Sequence, residues 1–165
     1  MIDHAPLVHL ETDENARRYG PGILVHEYSL QVTSWQDDER SIRAVRQAVF
    51  IEEQGIAADD EWDVADENSS HVLVLSKKRD AVGTGRLGPN GKIARVAVIA
   101  ECRGQGVGSA ILKRLIHEAM DRGQNRVYLH AQTQALNFYK KMGFISDERA
   151  FLEAGIPHVL ASLDF

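Results

Sequence analysis

Three glycines alternate behind an arginine in the stretch "RGQGVG", residues 103–108, and helical spacing of apolar residues follows immediately. The first four backbone N–H groups of a helix have no intrahelical partner, and the helix dipole makes that end positive. Glycines leave these donors uncovered, while Arg103 and Gln105 can add side-chain contacts. The stretch therefore predicts an anion site of the kind that holds a phosphate group.

A second glycine pattern, "GTGRLG" at residues 83–88, matches the dinucleotide-binding spacing letter for letter. That fingerprint requires a strand before it and a helix after it, because the helix start holds the pyrophosphate. Here a turn and a strand-like run, "PNGKIARVAV", follow instead. We therefore interpret Gly83 and Gly85 as glycines within a strand, which disfavours a nicotinamide-dependent oxidoreductase. A nucleotide-binding P-loop is disfavoured too, because Ser109 rather than lysine follows Gly108.

Acid–base candidates lie on the run "VYLHAQ", residues 127–132, where apolar and polar residues alternate. Alternation places the polar residues on one face of a strand, and an open cleft would explain a polar face at the centre of a sheet. His130 lies on that face and is a candidate general base or substrate ligand, since histidine ordinarily titrates near neutral pH. A hydrogen-bonded structural role is the alternative for His130, and equally for His71 and His158, which begin strands.

Cys102 adjoins the predicted anion site and raises the question of a covalent mechanism. Catalysis by a cysteine nucleophile requires a paired base, and the sequence places none beside this residue. We therefore expect no covalent role for Cys102. No group of His, Cys, Asp or Glu residues has the spacing of metal ligands, so the sequence predicts no metal.

Composition narrows the remaining classes of protein. The chain has 165 residues, of which 44% are hydrophobic and 26% charged, and this suits one soluble globular domain. Its net charge of −5 does not favour binding to nucleic acid. A single cysteine fits a reducing compartment, and no apolar run reaches membrane-spanning length. We expect a cytoplasmic protein without nucleic-acid or membrane partners, and a homodimer is one assembly that it could form.

Hydrophobic periodicity predicts the elements that must position these residues. The run "EYSLQVTSW" predicts a strand, and a helix follows with Asp37 as its N-cap and its end before Gly55. An acidic loop and three strand-like runs come next. A helix then extends from Gly108 to a stop at Gly123, and a strand, a helix ended by Gly143 and two further strands complete the chain.

The predicted order is therefore β, α, loop, β, β, β, α, β, α, β, β. This order predicts an α/β protein in which a mixed sheet carries helices on its faces. Residues 1–26 are predicted to be a tail or an extension at the edge of the domain, and residues 27–165 a single domain.

Several of these motifs together resemble the GNAT superfamily of acetyl-CoA-dependent N-acetyltransferases. The matching stretches are "RVAVIAECRGQGVGSAILKRLI", "VYLHAQTQALNFYKKMGF" and "GIPHVLASLDF". Within the superfamily, "VFIEEQGI" and "GIPHV" resemble the bacterial ElaA-like and YjcF-like branch. The resemblance covers residues 28–165 and implies a mostly antiparallel, twisted sheet that splays between the fourth and fifth conserved strands. Many members carry asparagine where this chain has Gln132, which is a departure from the family pattern.

The resemblance implies a mechanism and a set of cofactor contacts. Acetyl-CoA would lay its pyrophosphate on residues 103–108 and pair its pantetheine arm with residues 96–98, where a backbone N–H would polarise the thioester carbonyl. An amine would attack directly, and Tyr139 would protonate the leaving thiolate. The residues assigned to the cofactor are Val96, Ala97, Val98, Arg103, Gly104, Gln105, Gly106, Val107, Gly108, Ser109, Asn137 and Tyr139.

The acceptor side needs a base, because an alkylamine is mostly protonated at neutral pH. His130 is the best-placed candidate, and Glu53 is the second because it ends the helix expected near the acceptor. The run from residue 52 to residue 67 holds eight acids and no Lys or Arg, so it is either a solvated loop or an acceptor wall that attracts a cationic amine. The residues assigned to the acceptor are Glu53, His71, Gln132 and His158.

Two functions from different classes fit these observations. The first is an N-acetyltransferase that acts on a primary amine of a small molecule or a peptide. The second is a non-catalytic domain that binds acyl-CoA as a sensor. Tyr139 and the open polar face of the strand at residues 127–132 favour the enzyme.

Overall fold

Seven strands form two antiparallel sheets in the computed structural model, which describes residues 27–165. The predicted tail, residues 1–26, lies outside the described residues. One sheet has the order β1-β2-β3-β4 and the other β5-β7-β6. The strands are β1 (Tyr28–Ser34), β2 (Ser70–Ser76), β3 (Ala81–Leu87), β4 (Ile93–Val98), β5 (Arg126–Gln132), β6 (Ile145–Glu153) and β7 (Ile156–Asp164).

Four α-helices accompany these strands within the described residues, and the predicted order of elements is confirmed except for the short α2, which lies in the predicted loop. They are α1 (Trp35–Arg46), α2 (Ala58–Glu61), α3 (Val107–Asp121) and α4 (Leu136–Lys141). Among residues 27–165, no helix combines the length and the apolar character that crossing a membrane requires.

The first helix differs from its prediction at both ends. It begins at Trp35, because the hydroxyl of Ser34, rather than the Asp37 carboxylate, caps it by accepting the backbone N–H of Asp37 at 3.2 Å. At its other end the chain widens into a π-helical segment, Gln47–Glu53. Apolar spacing did not reveal this change of pitch, because it detects a buried face and not the hydrogen-bond pattern.

The acidic loop predicted after this helix contains more structure than expected. It includes α2 and a 3₁₀ turn, Val64–Asp66. The reason lies in its side chains: Glu61 and Asp66 are buried and bind arginines, so the acids of this segment organise the chain locally.

The core surrounds β2, which is buried on both faces. Val72 and Val74 pack towards α3, while Leu73 and Leu75 pack with Trp35 on the side of α1. Helices therefore cover both faces of the four-stranded sheet, which explains why this strand reads as a continuous apolar run.

Helix α3 lies directly on β3, and glycines in the strand permit this contact. A Cβ on Gly85 would lie 2.7 Å from Cγ2 of Ile111 and 2.8 Å from Cδ1 of Leu115. A Cβ on Gly83 would lie 2.9 Å from Cδ1 of Ile111. The glycines of "GTGRLG" thus serve helix–strand packing within a hairpin, as the strand interpretation predicted.

Candidate active site

The two sheets meet at one point and then separate. Lys92 and Tyr128 form an isolated parallel bridge, and the N–H of Tyr128 donates to the carbonyl of Gly91 at 3.1 Å. Farther along β4, Arg95 has a φ of 56°, and the register with β3 shifts there. Such a bulge bends a strand and breaks its pairing. The predicted splay between the fourth and fifth strands is therefore present.

A cavity of about 650 Å³ opens at this splay. The π-helical segment and the residues after it form one wall, β4 and β5 form the floor, and the turn between β6 and β7 closes one end. The polar and charged side chains that line it are Glu53, Gln54, Asp60, Glu61, Lys92, Arg95, Arg103, Gln132, Gln134, His130, Tyr139, Glu153 and His158.

The edge of β4 that faces this cavity has unpaired backbone groups. On the other edge, the N–H of Ile99 donates to the carbonyl of Val82 on β3 at 3.0 Å. Because successive residues of a strand direct their N–H and C=O groups to opposite edges, those of Val98 point into the cavity, as do those of Val96. Ala97 is paired with Thr84 and buried, so its peptide groups face β3 instead.

The glycine loop before α3 has the geometry of an anion site. Gly104 and Gly106 have φ values of 73° and 83°, which favour glycine, and Gly106 is the N-cap of the helix. Among residues 27–165, no side chain caps this helix start, and a Cβ on Gly104 would meet no atom within 4 Å. Within this part of the chain the N–H groups of the first turn therefore lack a capping partner, as an anion site requires.

The side chains of this loop are less free than the sequence suggested. The amide oxygen of Gln105 accepts the Tyr28 hydroxyl at 2.8 Å, and its nitrogen donates to the carbonyl of Glu101 at 3.1 Å. Val107 is buried in the core beneath the helix start. Of the loop between residues 103 and 109, Arg103 is the residue whose side chain reaches the cavity.

Arg103 and Glu53, which both line the cavity, form a bidentate ion pair. The two guanidinium nitrogens Nη1 and Nη2 lie 2.7 and 2.6 Å from the two carboxylate oxygens of Glu53. The Nε of Arg103 also donates to the carbonyl of Val98 at 2.9 Å. The hydrogen bond from Arg103 lowers the pKa of Glu53, and the same bond raises the pKa of Arg103. The sequence assigned these residues to separate subsites, whereas the structure places them in contact.

Tyr139 lies on α4 with its ring between two phenylalanines. Its centroid is 5.0 Å from that of Phe138 and 5.9 Å from that of Phe144, both at steep angles. Burial raises the pKa of Tyr139 to about 12, so its hydroxyl stays protonated at neutral pH. Asn137, two residues earlier, is exposed and does not line the cavity.

His130 belongs to a cluster that the sequence did not reveal. Its Nδ1 lies 3.1 Å from Oε1 of Glu153, and the Nε2 of His158 lies 3.7 Å from the other oxygen of that carboxylate. Burial alone would raise the pKa of Glu153, but the bond from His130 and the charges of His130, His158 and Lys92 bring it below its ordinary value. Glu153 carried no sequence signal, since it lies on an exposed hairpin between β6 and β7.

The structure places the two other predicted acceptor residues differently. Gln132 lines the cavity and donates to the side-chain oxygen of Gln54 at 2.8 Å. His71 does not reach the cavity: it is buried, and its Nε2 contacts the carbonyl of Asp66 at 2.9 Å. Burial also lowers the pKa of His71, which fits a neutral, structural histidine.

The acidic run does not form the strongly negative wall that was one of its two predicted roles. Glu53 pairs with Arg103, and Glu61, Asp63 and Asp66 pair with arginines from α1, β3 and β4. Four carboxylates and three basic side chains line the whole cavity, so their charges largely cancel. Individual contacts, rather than a general negative field, must therefore select an acceptor.

Comparisons with known proteins agree with this geometry. The family model described as an acetyltransferase (GNAT) domain matches residues 38–164. The chain is 41% identical over 119 residues to the uncharacterized N-acetyltransferase YjcF of Bacillus subtilis, covering 70% of this chain and 84% of that protein.

Solved structures show the same fold. A structure from Lactobacillus plantarum superposes with a TM-score of 0.77 at 27% identity, covering 84% of this chain and 99% of that one. Escherichia coli ElaA superposes with a TM-score of 0.74 at 24% identity, covering 83% of this chain and 99% of that one. From the family match, the relative and the shared fold, we conclude that this chain belongs to the GNAT acetyltransferase family and is an acyl-CoA-dependent acetyltransferase.

Proposed function

We propose that this protein transfers an acetyl group from acetyl-CoA to a primary amine by direct attack. The observation that carries the proposal is the set of groups that line one cavity. Arg103 beside the bare start of α3, the unpaired edge of β4, the Tyr139 hydroxyl and the His130 ring all border it. An anion site, a strand edge, a proton donor and a base are the parts that this reaction needs.

The residues present fit a coenzyme A thioester. The uncapped N–H groups of residues 107–109 would hold the pyrophosphate, with Arg103 as the neighbouring cation. The N–H and C=O groups of Val96 and the N–H of Val98 would pair with the amides of the pantetheine arm, as a sheet edge pairs with an added strand, while the C=O of Val98 already accepts from Arg103. When bound, acetyl-CoA supplies the acetyl group as an activated thioester.

The chain's own residues would then accept one proton from the acceptor and donate another to the leaving group. His130 takes a proton from the ammonium form of the acceptor, which leaves a neutral amine able to attack. The new C–N bond forms at the acyl carbon as the C–S bond breaks, and the hydroxyl of Tyr139 donates its proton to the departing sulfur. The nitrogen loses its second proton as it becomes an amide, and this proton restores the phenol by way of solvent. A backbone N–H of β4, at Val96 or Val98, stabilises the negative charge that develops on the carbonyl oxygen.

An amine screen tests the proposal. Acetyl-CoA is offered with spermidine, tyramine, lysine ethyl ester and a peptide with a free N-terminal amine, and release of the free thiol is followed together with the mass of each product. We expect thiol release that depends on an amine and matches acetylated product one to one. The fully N-acetylated form of each amine, with no free amine left, is the matched control and should give none.

Two results would contradict amine transfer. Thiol release that is equal with and without amines would indicate hydrolysis. Calorimetric binding of acetyl-CoA without any turnover would favour the acyl-CoA sensor.

A further inference from the structure

We propose that Glu153 is a positioning residue of this reaction, which holds His130 with its Nε2 free to accept the proton of the amine. The inference rests on the proposed function, in which His130 is the base. It concerns a residue of the hairpin between β6 and β7, away from the glycine loop and the tyrosine.

Hydrogen-bond chemistry fixes the state of the His130 ring. An ionised carboxylate only accepts hydrogen bonds, so the Nδ1 that lies 3.1 Å from Oε1 of Glu153 must carry the shared hydrogen. A neutral imidazole has one N–H, so Nε2 of His130 keeps its lone pair. Glu153 thereby selects the tautomer in which the nitrogen left free on this cavity-lining ring is a base.

His158 does not compete for the same role. Its Nδ1 lies 2.7 Å from the carbonyl oxygen of Ile156, so that nitrogen carries the hydrogen when the ring is neutral. Its bare Nε2 then faces Oε2 of Glu153 at 3.7 Å, which is too long for a hydrogen bond. The bond to His130 is therefore the shorter and directional contact of the two.

The surroundings hold this arrangement in place. Ala154 and Gly155 have φ values of 49° and 74°, the pattern of a tight two-residue hairpin turn, and this places Glu153 opposite Ile156. The Phe151 ring meets the His130 ring edge-on at 5.0 Å and thus limits its rotation. Both features fix the relative position of carboxylate and imidazole.

The Glu153 carboxylate also lies beside the ring that becomes positively charged during the reaction. When Nε2 of His130 takes a proton, the ring becomes an imidazolium, and its Nδ1–H then donates to a carboxylate of opposite charge. The other charged or titratable groups near the pair are His158 on β7 and Lys92 at the start of β4. The remaining charged side chains that line the cavity are Glu53, Asp60, Glu61, Arg95 and Arg103.

The test combines a tautomer measurement without substrate and a rate measurement. The ring-nitrogen shifts of His130 are recorded by NMR in the wild type, in Glu153→Gln and in Asp60→Asn, at a pH where the ring is neutral. In Glu153→Gln we expect the Nδ1–H tautomer to lose its dominance. Asp60→Asn removes the same charge from the cavity wall without touching His130, so it should leave the tautomer unchanged.

The rate measurement uses the best acceptor of the amine screen. In Glu153→Gln the plateau of kcat/KM should fall roughly tenfold together with the loss of the Nδ1–H tautomer, less than loss of a whole base costs. A plateau that falls while the Nδ1–H tautomer stays dominant would overturn the positioning role.

The His130→Ala variant distinguishes a failure of the inference about Glu153 from a failure of His130 as the base. If its pH–rate profile differs from the wild type while Glu153→Gln matches the wild type in tautomer and rate, then the inference about Glu153 fails and the base stands. If the His130→Ala profile overlays the wild type, then His130 is not the base, and the inference about Glu153 fails with it.

Discussion

The hydroxyl of Tyr139 has the two properties that a proton donor needs at this position. It is half-buried against the cavity, and burial raises its pKa to about 12, so the phenol keeps its proton throughout the working range of the enzyme. The rings of Phe138 and Phe144 hold it from two sides. Its packing does not depend on the hydroxyl, so chemistry and stability can be separated at this residue.

Tyr139→Phe should therefore lower kcat by roughly 10²-fold while the melting temperature stays close to that of the wild type. The control is Tyr128→Phe, since the Tyr128 hydroxyl accepts from Asn90 at the surface and that residue does not line the cavity. Steady-state kinetics with acetyl-CoA measure both variants. Wild-type turnover in Tyr139→Phe would show that solvent protonates the thiolate.

Among the elements, α3 is the one in which effects on protein stability and on cofactor binding can be measured separately. Gly106 stands at its start with a φ of 83°, and Gly123 follows its end with a φ of 74°. Any other residue pays a similar conformational cost at either position, about 1–2 kcal/mol. Only the start of the helix, however, presents N–H groups to an anion.

Gly106→Val and Gly123→Val thus form a matched pair. We expect both variants to lose a similar amount of stability in urea unfolding. Calorimetry should show that Gly106→Val binds coenzyme A about tenfold or more weakly, since hydrogen bonds to a charged group are lost, while Gly123→Val keeps wild-type affinity. Equal affinities in the two variants would place the pyrophosphate elsewhere.

The π-helical segment places Glu53 against Arg103. We therefore expect this segment to affect cofactor binding as well as to form a wall of the cavity. If Arg103 serves the phosphate groups, its bond to Glu53 must compete with cofactor binding. Glu53→Gln should then bind coenzyme A about twofold to fivefold more tightly, the range typical of an exposed ion pair. Glu52→Gln is the control, because the Glu52 carboxylate accepts a long hydrogen bond from Gln47 at 3.5 Å and does not line the cavity.

The pH dependence of this effect has a defined sign. Arg103 lowers the pKa of Glu53 below its ordinary 4.5 in the folded protein, so the pair is intact above that value and is lost as the pH falls through the lowered pKa. The advantage of Glu53→Gln in binding coenzyme A should shrink over the same range. Tighter binding that persists unchanged at low pH, or that Glu52→Gln shares, would contradict competition.

At the scale of the whole molecule, a buried ionic network ties the acidic segment to three elements. Arg46 of α1 is fully buried, donates to Glu61, and contacts Asp66 at 2.7 Å. Arg86 of β3 shares Asp66 at 2.7 Å, and Arg95 at the bulge of β4 lies 3.0 Å from Glu61. Burial raises the pKa of Glu61 despite these arginines. The network thus joins one wall of the cavity to the strand that forms its floor.

Arg46→Leu should be strongly destabilising, because it leaves Glu61 and Asp66 buried without their main partner. Breaking such a pair costs about 3–5 kcal/mol of unfolding free energy. Arg126→Leu is the control, since Arg126 is exposed and its pair with Asp164 at 3.2 Å contributes about 1 kcal/mol or less. The free energies of unfolding of the two variants are compared in urea. Similar losses would show that the buried ion pairs stabilise the fold no more than an exposed pair does.

The sequence by itself determined the order of the elements and predicted an anion site at residues 103–108, whereas the role of Tyr139 was predicted from the family resemblance. The order and the anion site depend on local chemistry: apolar spacing marks a buried face, and glycines at a helix start leave N–H donors uncovered. The same reasoning identified Gly83 and Gly85 as strand glycines, because no helix pattern follows them. The family resemblance added the splay of the sheet, which the structure confirms.

Only the tertiary structure decided which side chains meet. Glu153 reaches His130 through the pairing of β6 with β7, and Glu53 reaches Arg103 across fifty residues of chain. His71 is directed into the core, although its strand position resembled that of His158. Periodicity reports which face of an element is buried, whereas an ion pair depends on the distance between elements. That distance is set by packing, here by the bulge at Arg95 and the close contact of α3 with β3.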